Sequence, residues 1–240
     1  MPPRRRREPT WPDAPLATPV QPTNGQAKNG DRRFETLGVT GLTRAGGFVY
    51  EEFLHELQGV QGRRIYREMR DNDAVIASLL FAITMLIRKV GWEVHPADDS
   101  PEAEDIATFC DQARNDMSDS WQDTLAAILS MLVWGYSWLE IVYKLRGGDT
   151  QEGESHSKYN DGLIGWRKWS IRAQEALYRW EFDQDGGIQG MWQQPPPDFK
   201  LRYIPIEKSL LFRTSTDKGN PEGQSLLRRA YRSWYFRKQI

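Results

Sequence analysis

The stretch Leu139-Glu140-Ile141-Val142-Tyr143-Lys144-Leu145 divides this chain in two. Apolar Leu139, Ile141, Tyr143 and Leu145 alternate with charged Glu140 and Lys144, a period of two that predicts a half-buried strand with its apolar set inward. Before this stretch apolar residues recur every three or four positions; after it come short strand-like runs punctuated by Gly, Pro and Asp. Helices first, then a mostly antiparallel sheet, then a last amphipathic helix make an α+β pattern, not a βαβ alternation.

Working back from Leu139, Ser120 with Asp123 makes a capping-box-like start to a helix whose stripe is Leu125, Ile128, Leu129, Leu132 and Val133, ended by Gly135. Ser100-Pro101 is an N-cap followed by proline at the first helical position. The helix it opens is expected to turn Ala103, Ile106, Cys110 and Ala113 inward and its acids outward. Asp71–Asp73 offers N-caps to a longer helix. Its Ile76, Leu79, Leu80, Ile83, Leu86, Ile87 and Val90 form the stripe of a packed element, which Gly91 stops before a brief strand at Trp92–Val94. A short helix is expected over Tyr50–Leu57, a further turn or two around Ile65, Tyr66 and Met69, and order from near Phe48. Residues 1–45, rich in Pro, Gly, Arg and Asn and carrying the Arg4–Arg7 run, bury too little to offset their ordering entropy and read as a disordered basic arm.

Working forward, Gly147–Gly162 reads as a polar loop. Strands are expected at Leu163–Arg172, Leu177–Phe182, Ile188–Gln193, Phe199–Pro205 and Leu210–Arg213, with a turn at Asp183–Gly187. Residues 46–240 therefore form one α+β domain: helices over 50–135, sheet over 137–214, and a final helix over 222–240. That helix places Leu226, Leu227, Ala230, Tyr231, Trp234 and Tyr235 on one side and Arg228, Arg229, Arg232, Arg237 and Lys238 on the other. It stops at Ile240 with no Gly or Pro behind it, so it reads as cut short.

The net charge of −1 recommends no polyanion as partner, but the charges are segregated. Nine acids face one base between Asp98 and Asp123, and ten bases face three acids from Lys200 to Ile240, a distribution able to steer association. The single cysteine, Cys110, excludes an intrachain disulfide and is expected as a buried thiol. No apolar region follows Met1 to make a signal peptide, and Ala74–Ile87 is too short to span a bilayer, so a soluble, intracellularly made protein is expected.

His55, His95 and His156 lie in different elements without metal-ligand spacing. No glycine loop ends in Lys-Ser or Lys-Thr, and no Gly-x-Ser-x-Gly elbow is present. No catalytic, cofactor-binding or metal-binding residue is assigned, no cofactor is expected, and an enzyme is the weaker reading.

Against that background several segments resemble the portal proteins of tailed bacteriophages, most closely the Mu-like branch. These are Tyr66-Arg67-Glu68-Met69, then Asp73, Val75-Ile76 and Trp92-Glu93-Val94; Phe182-Asp183 with Asp185-Gly186-Gly187 and Gly190; and Pro205-Ile206-Glu207-Lys208 through Leu211-Phe212. Most specific is Gly219-Asn220-Pro221-Glu222-Gly223-Gln224-Ser225-Leu226 with its following helix, where Glu222 stands at a position that is commonly aromatic and reads as an exposed turn residue.

The resemblance covers residues 50 to 240 and implies a wing-type α+β region of a ring of twelve copies at one capsid vertex. It implies partners as well: other copies of the chain, the terminase large subunit, scaffold, capsid and head-completion proteins, and double-stranded DNA passing through the ring. The implied location is the virion, after synthesis in the host bacterial cytoplasm, with no membrane involved. On this reading Gly219, Asn220, Pro221 and Gly223 set the turn into a stem-ward helix, while Arg228, Arg229, Arg232, Arg237 and Lys238 are candidate DNA or subunit contacts. Members of the family continue beyond the point where this chain stops, so a fragment or a truncated form is expected. A second reading is a nucleic-acid-binding module that uses the basic final helix and the arginine arm. A hydrolase with scattered carboxylates ranks last.

Overall fold

The computed structural model describes residues 38–148 and 152–239. A small hairpin of β1 (Arg44–Ala45) and β2 (Phe48–Val49) leads through a 3-10 turn at His55–Leu57 into α1 (Gly59–Asn72), α2 (Ala74–Arg88), α3 (Pro101–Asn115), α4 (Trp121–Leu129) and the single turn α5 (Met131–Trp134). Strands β3 (Tyr136–Gly147) and β4 (Asn160–Arg172) follow, then β5 (Leu177–Phe182), β6 (Ile188–Gln193), β7 (Arg202–Pro205) and β8 (Ser209–Arg213). A 3-10 turn at Leu226–Arg229 and α6 (Tyr231–Gln239) complete the order. Two three-stranded antiparallel sheets result, ordered β4-β3-β8 and β5-β6-β7. The α+β class expected from the period change is the one observed.

Strand β3 is where the layers meet. Tyr136, Ser137, Trp138 and Leu139 are all buried because the strand is covered on both faces there. Tyr136 and Trp138 pack edge-on against Trp180 in a core shared with Leu177, Met191 and Ile204 of the second sheet. Leu139 packs with Leu125 and Ile128 of α4, and the Ser137 hydroxyl donates to the Ala127 carbonyl at 2.9 Å.

Farther along β3 the expected alternation is reversed. Tyr143 and Leu145 are exposed, while Lys144 and Arg146 are buried. The cover of α4 has run out on the Leu139 side, and on the other side the C-terminal half of α3 presents polar partners. Lys144 Nζ lies 3.0 Å from an Asp116 carboxylate oxygen and donates to the carbonyls of Asp116 and His156 at 2.5 and 2.7 Å. Arg146 pairs with Asp161 at 2.8 Å, donates to Gln112 at 2.7 Å, and lies over the rings of Phe109 and Tyr159. Asp116 is thus interior, not one of the solvated acids the sequence pattern suggests. A register shift beyond Val142 leaves Arg167 as the extra residue of β4. Its carbonyl accepts from the Ser118 N–H at 2.8 Å, so the α3–α4 link is pinned at the bulge.

The helical core gathers Leu57, Tyr66, Met69 and Ile76 with Val133 and Trp134, closed by Leu227, Tyr231 and Trp234 from the chain's end. Asp73 caps α2 by accepting from the N–H groups of Val75 and Ile76, as the sequence suggests. The α2 stripe, however, is packed along one flank only. Ile76 is buried, Leu80 packs against this core, and Ile83 and Ile87 are half-buried, whereas Leu79, Leu86 and Val90 of the stripe, and Val75 and Phe81 outside it, are exposed.

Other expectations change for local reasons. Ile106 is exposed and Ala107 takes its place inside, and Cys110 is partly covered. Trp92–Val94 is not a strand, having no neighbour to pair with; instead the Trp92 ring meets Trp121 edge-on. Tyr50–Leu57 supplies only the 3-10 turn at its end, and Ser130 breaks the helix expected over 120–135 into α4 and α5. Phe199–Leu201 stays outside β7. The arm assigned to residues 1–45 lies outside the described residues as far as position 37, and the β1–β2 hairpin begins at Arg44.

Burial raises the Asp116 carboxyl, but hydrogen bonds from the Lys158 N–H, the Ser157 hydroxyl and Lys144 outweigh it and hold the group below its ordinary 3.8. A depressed folded value adds stability that is present above 3.8 and lost as pH falls below it. Asp116→Ala leaves Lys144 buried without its carboxylate and is expected to destabilise by about 3–5 kcal/mol in urea unfolding at neutral pH. Its deficit relative to the parent chain should shrink on acidification below 3.8.

Candidate functional site at the glycine turn

After β8 the chain makes a tight reversal. Lys218 and Gly219 both adopt positive φ (53° and 72°), the Asn220 side-chain oxygen accepts from the Glu222 N–H at 2.9 Å, and Pro221 is fully buried. Gly223 is again left-handed at 53°. Gly219, Asn220, Pro221 and Gly223 lie together in this one reversal. Pro221 does not open a helix, though: the next helical turn starts at Leu226, where Ser225 accepts from the Leu227 N–H.

The turn is clamped to the α5–β3 junction. Gly135 closes α5 in the left-handed region at φ 91°. A Cβ on Gly135 would lie 2.3 Å from the Glu222 carbonyl oxygen, and one on Gly223 would lie 2.3 Å from the Gly135 carbonyl oxygen. Two backbones therefore touch where neither can carry a side chain. Around this contact the Thr214 N–H donates to the Gly135 carbonyl at 3.0 Å, and the Gln224 N–H donates to the Thr214 hydroxyl at 3.0 Å. The Ser225 hydroxyl donates to the Val133 carbonyl at 2.5 Å. Gly135 was legible in the sequence only as a helix stop; its role as the partner of Gly223 requires two segments about ninety residues apart to meet.

Glu222 is not an exposed turn residue. Its side chain points back into the fold, where the Trp180 indole N–H donates to it at 3.1 Å. Burial, the largest influence, raises its carboxyl above the ordinary 4.5; the nearby Arg63 guanidinium and the Trp180 bond pull the other way.

The basic residues downstream separate into two groups. Arg228 donates through Nε to both carboxylate oxygens of Glu52 at 2.8 Å, Arg237 pairs with the buried Asp73, and Lys238 pairs with Glu68 while lying over the Trp234 ring. These three tie the chain's end to the segment from Glu52 to Asp73. Arg229 and Arg232 are exposed and form no such tie among the described residues. Charges already matched by carboxylates are poor counterions for phosphate, which counts against the nucleic-acid-module reading. Helix α6 is shorter than the expected 222–240 and lacks a clean two-sided pattern: Tyr231 and Trp234 are inside, Tyr235 and Phe236 outside.

The arrangement is mechanical. Loop, sheet and both ends of the domain are held in one register by backbone contact and ion pairs. Among the described residues, no group of three or more His, Cys, Asp and Glu is placed to hold a metal ion.

Gly135→Ala or Gly223→Ala is expected to cost more than about 1 kcal/mol, since each forces both a positive φ and a backbone overlap. Gly91→Ala, which meets open space, is the control that should leave the thermal midpoint nearly unchanged. Arg228→Ala should destabilise by about 1.5–3 kcal/mol. Lys238→Ala, in a more exposed pair, should cost about 0.2–1 kcal/mol. Arg229→Ala with Arg232→Ala should leave the denaturant midpoint in place.

Residues 63–240 match the family described as "Portal protein of Mu bacteriophage". Among solved structures, a chain in "Virion of native gene transfer agent (GTA) particle" is similar at 12% identity and a TM-score of 0.52, over 79% of this chain and 43% of that one. A chain in "Neck of empty GTA particle computed with C6 symmetry" is similar at 13% identity and a TM-score of 0.49, over 72% and 43%. At that identity the first shows a shared fold, and the second adds no argument. This chain spans under half the length of both. A search of curated proteins gave no match.

Proposed function

The chain belongs to the Mu bacteriophage portal protein family, and from that premise we propose that it is a structural, non-enzymatic head–tail protein that acts as a subunit of a ring at one capsid vertex. The family match over residues 63–240 carries this reading. Residues 46–240 would be the wing-type region of the subunit. The ring, of twelve copies, would serve head assembly, the passage of double-stranded DNA during packaging and ejection, and tail attachment. Terminase, scaffold or capsid proteins and head-completion proteins would be its partners. Its place would be the virion, after synthesis in the host bacterial cytoplasm. Among the described residues no helix is long and apolar enough to cross a membrane.

The surface supports a subunit role. Val75, Leu79, Phe81 and Leu86 on α2, and Tyr143, Leu145 and Ile164 on the β3–β4 sheet, stand in water in a single chain. Val75, Leu79 and Leu86 share one face of α2 and Leu145 stands opposite Ile164 in the sheet, groupings of the kind that association covers. Ring contacts between neighbours, which are heterologous by geometry, would cover them.

Light scattering and native mass measurement of the full-length protein test this proposal. A closed species of many subunits is the expected result, and a strict monomer across concentration sinks it. For the competing nucleic-acid reading, alanine at Arg228, Arg229 and Arg232 should leave affinity for duplex DNA unchanged; a uniform, salt-sensitive loss would favour that reading instead.

A further inference from the structure

We propose that the aromatic groove between α1 and α6 takes α3 of a second copy of this chain, with Arg229 and Arg232 of one copy facing Glu102 and Asp105 of the next. The inference rests on the ring reading and names one pair of faces through which neighbours meet.

The groove is lined by Leu54 and Ile65 on one side and by Tyr231, Trp234, Tyr235 and Phe236 on the other. Tyr231 and Trp234 are buried, whereas Tyr235 is exposed and Phe236 is 67% exposed. The charges at its rim are mostly matched within the chain: Lys238 pairs with Glu68, and Glu56 lies beside the Tyr231 hydroxyl and Arg228. Arg232, which lines the groove, and Arg229, three residues before it, are different. Both are exposed, and neither meets a carboxylate among the described residues. Exposed aromatic rings beside unmatched arginines have the composition of an interface centre.

Helix α3 presents the opposite pattern. Asp105 and Ile106 follow Glu102 by three and four positions, so the three side chains share one face of the helix. All are exposed, Ile106 at 64%, and neither acid meets a cation among the described residues. Glu102 lies in the first helical turn, where the helix dipole favours an acid. Asp105 lies beyond that turn, and Ile106 gains nothing from water.

Each face therefore supplies what the other lacks. One joins apolar rings to uncompensated cations, and the other joins an apolar side chain to uncompensated anions. Neither face can pair with its own kind, since arginines would then meet arginines and acids would meet acids. Contact between two different faces is heterologous, the type that closes into a ring instead of stopping at a pair.

Light scattering of the full-length chain across concentration, at low and at physiological salt, tests the pairing. Glu102→Arg with Asp105→Arg makes both faces basic, and Arg229→Glu with Arg232→Glu makes both acidic. Each variant alone should need at least about tenfold more protein than the parent chain to assemble. An equimolar mixture should assemble as the parent does, because in alternating order every contact again joins opposite charges. Variants that assemble alone like the parent, or a mixture that does not recover, overturn this inference and leave the ring reading standing. A parent chain that never assembles overturns both. If a reversed variant does not fold, Glu102→Gln with Asp105→Asn takes its place. Weaker assembly with a flatter salt dependence is then expected, and an unchanged midpoint and salt slope overturn the pairing.

Discussion

The contact on which the rest of this structure depends is the one between the backbones of Gly135 and Gly223. Gly135 is the single residue between the last helical turn and the first residue of β3, and its left-handed conformation sets the direction in which β3 leaves the helices. Gly223, in the loop that follows β8, presses against it. With that contact made, the Ser225 hydroxyl reaches Val133 and the chain is aimed so that Leu227, Tyr231 and Trp234 complete the core begun by Tyr66, Met69 and Ile76. The loop after β8 is thus fixed to the α5–β3 junction at one point where no side chain fits.

The charges obey the same logic of enclosure. Where α3 closes over β3, Lys144 and Arg146 are taken inside; Lys144 is matched by a carboxylate and two carbonyls, while Arg146 meets Asp161 and Gln112 through Nη2 and rests its remaining guanidinium against the Phe109 and Tyr159 rings. Where the chain's end returns to the first helices, Arg228, Arg237 and Lys238 meet Glu52, Asp73 and Glu68. Apolar residues are correspondingly left outside on α2 and on the sheet.

Much of the fold was legible because it rests on local rules. Asp73, Ser100 and Ser120 cap helices where their side chains can reach backbone N–H groups two or three residues on, and β5 and β6 fall where the runs 177–182 and 188–193 predict. The site was legible in part. The glycine turn could be located from its residue types, but its partner Gly135, the anchor Trp180 and the acids that match the terminal bases could not, since each lies roughly forty to one hundred and seventy residues away. Glu222 shows the limit most clearly: by type and neighbours it belongs in water, and only the sheet packed beside it half-covers the residue and gives its carboxyl the Trp180 indole as a partner.

The sequence by itself determined the order of elements, the caps, the positions of the turns and the likeness to portal proteins, because period, capping chemistry and glycine's access to positive φ act over a few residues. The tertiary structure decided which face of each element is inside. It turned β3 so that Lys144 is buried and Leu145 exposed, left one flank of the α2 stripe uncovered, and drew Glu222 part-way into the fold. Burial is a property of what another segment covers, and a pattern of alternation states only that two faces differ, not which of them a distant helix will close.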